Sequence, residues 1–170
     1  MNTAEIATLF DYNYWANGRV LDAAARLTPA QFATPAGLSH GGVRGALVHV
    51  LSSEAVWRLR GQEGISPPAM LLETGFPTLD SLREFWQDEE QAMRAYLAGL
   101  SDDDINGLVR YKTTKRVSHQ NPLWQVLLHL VNHGTQFRSE AAVALTSYGQ
   151  SPGDLDLIFF LRQRQATAAA

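Results

Sequence analysis

Apolar residues recur at helical spacing along four long stretches of the chain. In the first, Ile6, Leu9, Phe10, Tyr14, Val20, Leu21 and Ala24 share a face with Asn13 and Asn17, which predicts a helix from Thr3 to about Leu27. Asn2 followed by Glu5 supplies a capping box at its start. Thr28-Pro29 is a second start signal and opens a short turn carrying Phe32. The segment 34–42 is rich in turn residues and ends at Gly41-Gly42. A second long helix is predicted from about Val43 to Gly61, then a connection over 62–77 punctuated by Pro67, Pro68, Gly75 and Pro77. Thr78 caps a third helix to about Leu100, carrying Leu82, Phe85, Trp86, Met93, Tyr96 and Leu97. Within 101–120, Val109, Tyr111 and Thr113 alternate with the period of a short strand pair. Asn121-Pro122 opens a fourth long helix that Gly149 closes. After Ser151-Pro152-Gly153 a short apolar helix runs from Leu155 to about Arg164, and residues 166–170 are expected to be a disordered tail.

Four long amphipathic helices with one long crossover make an all-α four-helix bundle with a short C-terminal helix. The length of 170 residues suits one domain, over 1–165, with its own core. No apolar run approaches the roughly 18 residues of a membrane span, and the N-terminus has no basic region followed by an apolar one. The expected location is cytoplasmic, with no membrane partner. Net charge is −3, which argues against nucleic acid as a partner. The one basic cluster, Arg110, Lys112, Lys115 and Arg116, reads as a solvated loop or hairpin. There is no cysteine, so the chain itself supplies neither a zinc–thiolate site nor a cysteine nucleophile.

The histidines change the picture. His40 and His119 fall in predicted loops and read as surface residues, whereas His49, His129 and His133 fall within predicted helices. On a helical wheel Val126, His129, Leu130, His133, Phe137 and Ala144 share about one third of the circle, the stripe that should face the core. A buried imidazole needs partners for both ring nitrogens, and a divalent metal shared between histidines four apart is one such partner. A hydrogen bond to backbone, Ser or Glu is the other, and Glu140 lies on the same sector. On the second helix Gly45, Ala46, Ser52, Ser53 and Val56 surround His49 with mostly small side chains, which leaves room for an ion or ligand. Three helix-borne histidines with an open position would suit a catalytic rather than a structural metal.

Several stretches together resemble one family. "YNYWANGRVL" (12–21) is similar to the first-helix signature of the DinB-like (DinB/YfiT) proteins, and "LVHVLSSEAVWRLR" (47–60) to their second-helix histidine motif. "FPTLDSLREFW" (76–86), "LWQVLLHLVNHGTQFRSE" (123–140) and "SPGDLDLIFFLR" (151–162) resemble the remaining helices. The resemblance implies an up-down-down-up bundle, often a homodimer. It also implies nickel or zinc held by three histidines, one from the second helix and two from a fourth-helix pattern Asn-His-x-x-x-His-Arg. His49 matches the first ligand, and Asn132 and His133 match the first half of the pattern. Phe137 stands where the last histidine belongs, and Arg138 follows it.

Two outcomes follow from that departure. Either His129 takes the vacant role, giving a metal set of His49, His133 and His129, or the site is reduced to two protein ligands. The first requires the ligand to move about 12 Å along the helix axis, at ~1.5 Å per residue. The resemblance implies a metal-dependent transferase, isomerase or hydrolase in which the ion activates a low-molecular-weight thiol towards a small electrophilic substrate; Tyr12, Tyr14 and Arg60 are candidates to line the pocket. The alternative is a non-catalytic stress-response or small-ligand-binding bundle with a degenerate metal site.

Overall fold

The four amphipathic stretches frame the molecule in the computed structural model, which describes residues 1–168. They are α1 (Thr3–Ala24), α3 (Val43–Arg58), α4 (Leu79–Ala98) and α6 (Leu123–Ser147). Short elements fill the connections: α2 (Pro29–Ala33), a hairpin of β1 (Pro35–Leu38) and β2 (Gly41–Gly42), α5 (Asp102–Asn106), and a hairpin of β3 (Leu108–Lys112) and β4 (Ser118–Pro122). The chain ends in α7 (Leu157–Ala168). No helix among the described residues is long and apolar enough to cross a membrane.

The caps are those the residue types dictate. Asn2 Oδ1 accepts from the Glu5 amide at 2.9 Å while Glu5 accepts from the Asn2 amide at 3.0 Å. Thr28 with Gln31 and Thr78 with Ser81 do the same for α2 and α4. A fourth box, Ser101 with Asp104, starts α5, which the periodicity did not reveal because five residues hold barely one turn. The second helix expected to reach Gly61 is α-helical only to Arg58. It then widens into a π turn over Leu59–Glu63, closed by Gly64 at φ +68°. The terminal helix takes in 166–168, where a disordered tail was expected, and residues 169–170 of that tail lie outside the described residues.

Side-chain pairings set the helix directions. Arg83 reaches Asp22 and Arg94 reaches Asp11, so α4 runs antiparallel to α1. Trp86 reaches Glu54 and Arg58 reaches Glu89, so α3 and α4 are parallel. Ser53 reaches His133 whereas Ser39, before α3, reaches Glu140, so α3 and α6 are antiparallel. The order is up-down-down-up. Two consecutive parallel helices force the chain back along the whole bundle, and this is the work of the 62–77 connection.

The core divides into two apolar clusters. The upper one gathers Val20, Leu47, Leu51, Leu82, Phe137 and Leu145. The lower one gathers Ile6, Phe10, Met93, Leu123, Leu127 and Leu130. Between them lies a buried polar layer. Glu54 accepts from Asn13 Nδ2 at 2.8 Å, Asn17 Nδ2 at 3.1 Å and Trp86 Nε1 at 3.1 Å. Arg138 donates to the amide oxygens of the same two asparagines and to Thr135. Two asparagines therefore bridge a buried carboxylate and a buried guanidinium, each donating to one and accepting from the other. Gly134 makes room for this: a Cβ there would lie 2.5 Å from the guanidinium and 2.9 Å from Asn13 Oδ1. Burial raises the Glu54 pKa against its hydrogen bonds, and burial lowers that of Arg138.

Candidate metal centre

The antiparallel packing of α3 against α6 brings His49 and Ser53 to the level of His133 and Phe137. His49 Nε2 lies 3.1 Å from His133 Nε2, and Ser53 Oγ lies 3.3 Å from His133 Nε2. Phe137 sits one turn beyond His133, its ring 4.4 Å from that of His49 and 4.5 Å from that of His133. Both imidazoles are half-buried at the edge of the polar layer. Burial, with the neighbouring His40, pushes His49 down to about 4, and burial, with His49 and His129, does the same to His133. Both rings are therefore neutral at pH 7. With 3.1 Å between the two nitrogens, one ring donates Nε2–H and the other offers a lone pair.

His129 lies elsewhere. Its position is exposed rather than part of the core stripe, and its ring stands 5.7 Å from that of Trp57 and 5.5 Å from that of His133. It occupies the next level of the antiparallel pair, on the far side of His133 from Phe137. Glu140 does not partner a histidine either. It accepts from Ser39 Oγ at 2.6 Å and from the Ser39 amide at 3.2 Å.

Those two bonds tether the β1–β2 hairpin to α6 and place the residue that sequence reasoning missed. His40, expected at the surface, stacks on His49 with ring centres 3.6 Å apart and planes 14° apart, and meets Phe137 edge-on at 5.0 Å. Gly45 allows it, since a Cβ there would fall 1.8 Å from the His40 carbonyl oxygen. The only signal in the sequence was the Gly41-Gly42 and Gly45 spacing beside a histidine. A cleft of about 460 Å³ opens beside His40 and His49, walled by Val48, Met70, Leu71 and Glu73.

The DinB family model matches residues 1–167. The chain belongs to the DinB family. No curated protein matches it. Set on this DinB bundle, the expected pocket residues separate. Tyr12 is buried and donates its hydroxyl to the Leu155 carbonyl at 2.9 Å. Tyr14 is buried in the lower core, and Arg60 lies beneath the β3–β4 hairpin with Nη2 donating to the Lys112 carbonyl.

The fit to a divalent metal is partial. The His49–His133 separation of 3.1 Å matches two bonds of about 2.0–2.1 Å to a common ion. Among the described residues no group of three or more His, Cys, Asp or Glu side chains converges as a metal cage. The donor set is a two-histidine edge bounded on one side by a phenyl ring.

Proposed function

We propose that this DinB-family protein binds one divalent cation, zinc or nickel, between His49 and His133, and that it is a metal-dependent transferase of small molecules. The approach of the two neutral Nε2 atoms carries this reading: once the donor ring carries its proton on Nδ1 instead, both Nε2 lone pairs can meet one ion, with no net loss of a proton at neutral pH. A bound ion would supply Lewis acidity and hold a low-molecular-weight thiol as its thiolate. The chain's own residues do the rest. Phe137 gives the site one apolar side, and Val48, Met70 and Leu71 add apolar surface to the cleft beside it. His40 covers His49, and Ser53 offers a hydroxyl beside His133. With only two protein ligands, more positions stay open to thiol, water and electrophile than in a three-histidine site.

Metal analysis tests this directly. Protein isolated without chelator and equilibrated with Zn²⁺ or Ni²⁺ should hold about one ion per chain, and His49→Ala or His133→Ala should abolish it. Fewer than ~0.2 ions per chain at saturation overturns the reading. It would leave the second one, a small-ligand-binding bundle without metal, which the packing of Phe137 against three imidazoles favours. The homodimer that the family resemblance implies is a separate part of the proposal, tested by light scattering.

A further inference from the structure

The basic cluster of the sequence lies exposed on the β3–β4 hairpin, as expected, and three of its cations share one open cavity. Arg110, Lys112 and Arg116, with His119, Ser66 and Gln120, line a cavity of about 610 Å³ between the β3–β4 hairpin and the 64–66 connection, and no carboxylate lines it. In the hairpin register Arg110 pairs with Gln120 and Lys112 with Ser118, so two cations and two uncharged donors share one face.

Three observations give this cavity meaning. The first is charge. The chain carries −3, and Arg44, Arg58, Arg83, Arg94 and Arg164 all pair with carboxylates. Among the described residues none of Arg110, Lys112, Lys115 and Arg116 does. Like charges gathered without counter-charge repel one another, and an anion relieves them. The second is rigidity. Arg60 is held with its guanidinium 4.4 Å from the Trp57 ring and 5.2 Å from the Tyr111 ring, and it donates to the Lys112 carbonyl at 3.0 Å. Ser66 Oγ accepts from the Lys112 amide at 2.9 Å, and Tyr111 donates to Asn121 at 2.9 Å. The hairpin backbone that carries the cations is thus braced from beneath. The third is Arg116. It is the one non-glycine among the described residues at positive φ, +63°, at a turn closed by its amide on the Thr113 carbonyl. Glycine or asparagine suits that place, and the arginine there adds a third cation to the cavity.

We propose that this cavity binds a small phosphate-bearing molecule. Guanidinium forks and hydroxyl donors match phosphate oxygens. The volume falls within the roughly 300–1,000 Å³ of small-molecule sites. A nucleic acid would need a basic face extending beyond one hairpin, and the rest of the molecule is acidic. The proposal does not rest on the metal reading.

Pyrophosphate is the probe, followed through backbone amide shifts of the full chain by NMR. Saturable shifts confined to 64–66 and 108–122 are expected, with a dissociation constant below ~1 mM at low ionic strength. Arg110→Ala with Lys112→Ala should weaken binding at least about tenfold, by loss of two charge-assisted contacts. Arg116→Gly should bind several-fold more weakly yet melt no lower than the natural chain, because glycine adopts that φ without strain. Arg162→Ala, an exposed cation on α7, should bind as the natural chain does. Absence of saturation by ~10 mM, shifts spread over the surface, or unaltered affinity in the hairpin variants overturns the proposal. Citrate binding as tightly as pyrophosphate overturns the phosphate assignment. An RNA or DNA 12-mer binding through the same amides more than about tenfold tighter replaces the small molecule with nucleic acid.

Discussion

Phe137→His restores the residue type that the family pattern places one turn after His133. The new imidazole would start from a ring 4.4 Å from His49 and 4.5 Å from His133, so no helix has to move for it to join the pair. Apparent metal-binding energies of about 10–16 kcal/mol for four-ligand zinc sites suggest about 3 kcal/mol per ligand, or roughly a hundredfold in affinity. The substitution also removes a phenyl ring from the upper apolar cluster. Phe→Ala in a core costs about 3–5 kcal/mol, and because the imidazole keeps most of the volume a loss of about 1–3 kcal/mol is expected.

The two effects have opposite signs and separate by condition. In chelator the variant should melt below the natural protein. With Zn²⁺ or Ni²⁺ at about 100 times its dissociation constant it should recover about 2.7 kcal/mol. Competition against a chromophoric chelator reads the affinity, and thermal unfolding with and without metal reads the stability. A change in affinity of less than about threefold would refute the reasoning, since a ligand at this position is worth far more. Tight binding already present in the natural chain would refute it too. His40→Ala and His129→Ala would then show which residue had taken the third place.

Glu54→Gln should destabilise by about 3–5 kcal/mol in urea titration, because it leaves Arg138 buried without its counter-charge and turns an amide N–H₂ towards a donor; a loss under about 1 kcal/mol contradicts the polar layer as described. The metal-free protein should lose stability on acidification. His49 and His133 titrate near 4 when folded against 6.5 when unfolded, so the unfolded chain binds more protons between those values. Stability should be complete above about pH 6.5, fall through the window and level off below about pH 4. Both rings are half exposed and face each other, with His40, His129, Arg138 and Glu140 around them, so solvent and coupling reduce the effect to about 1–3 kcal/mol for the pair. His49→Gln with His133→Gln should flatten the slope, and an unchanged slope assigns it to other groups.

The parts legible in the sequence share a cause. Long helices declared themselves because each spends many residues on one period and begins with a capping side chain, as Asn2 and Thr78 do. The β3–β4 hairpin was visible through Val109 and Tyr111. His49 and His133 could be paired because both sit on helices whose neighbours are apolar. His40 could not, since its place depends on Ser39 bonding Glu140, 101 residues away, and on a gap left by Gly45. His129 was misplaced because it lies at the margin of the stripe on the wheel, where a step of ~100° per residue does not decide between core and solvent; the packing leaves it exposed beside Trp57. The polar layer was half visible. Asn13 and Asn17 stood out on an apolar stripe, but nothing local marks Glu54 and Arg138 as buried rather than solvated.

That layer explains how a ligand could be exchanged for phenylalanine without loss of the fold. Helix register at this level is held by Glu54, Asn13, Asn17 and Arg138, all paired among themselves and with Trp86 and Thr135. None of those bonds involves His49, His133 or Phe137. The histidine pair therefore hangs on a frame that is complete without it, so the proposed ion would not be needed for folding, unlike in small zinc domains whose folding energy is the binding energy. Phe137 belongs to the upper apolar cluster, so the replacement extends the dry core by one ring up to the histidine pair. Where the proposed ion lacks a third histidine, the core gains a ring. Position 137 alone thus couples core packing to the proposed metal affinity, while helix register rests on residues that touch neither.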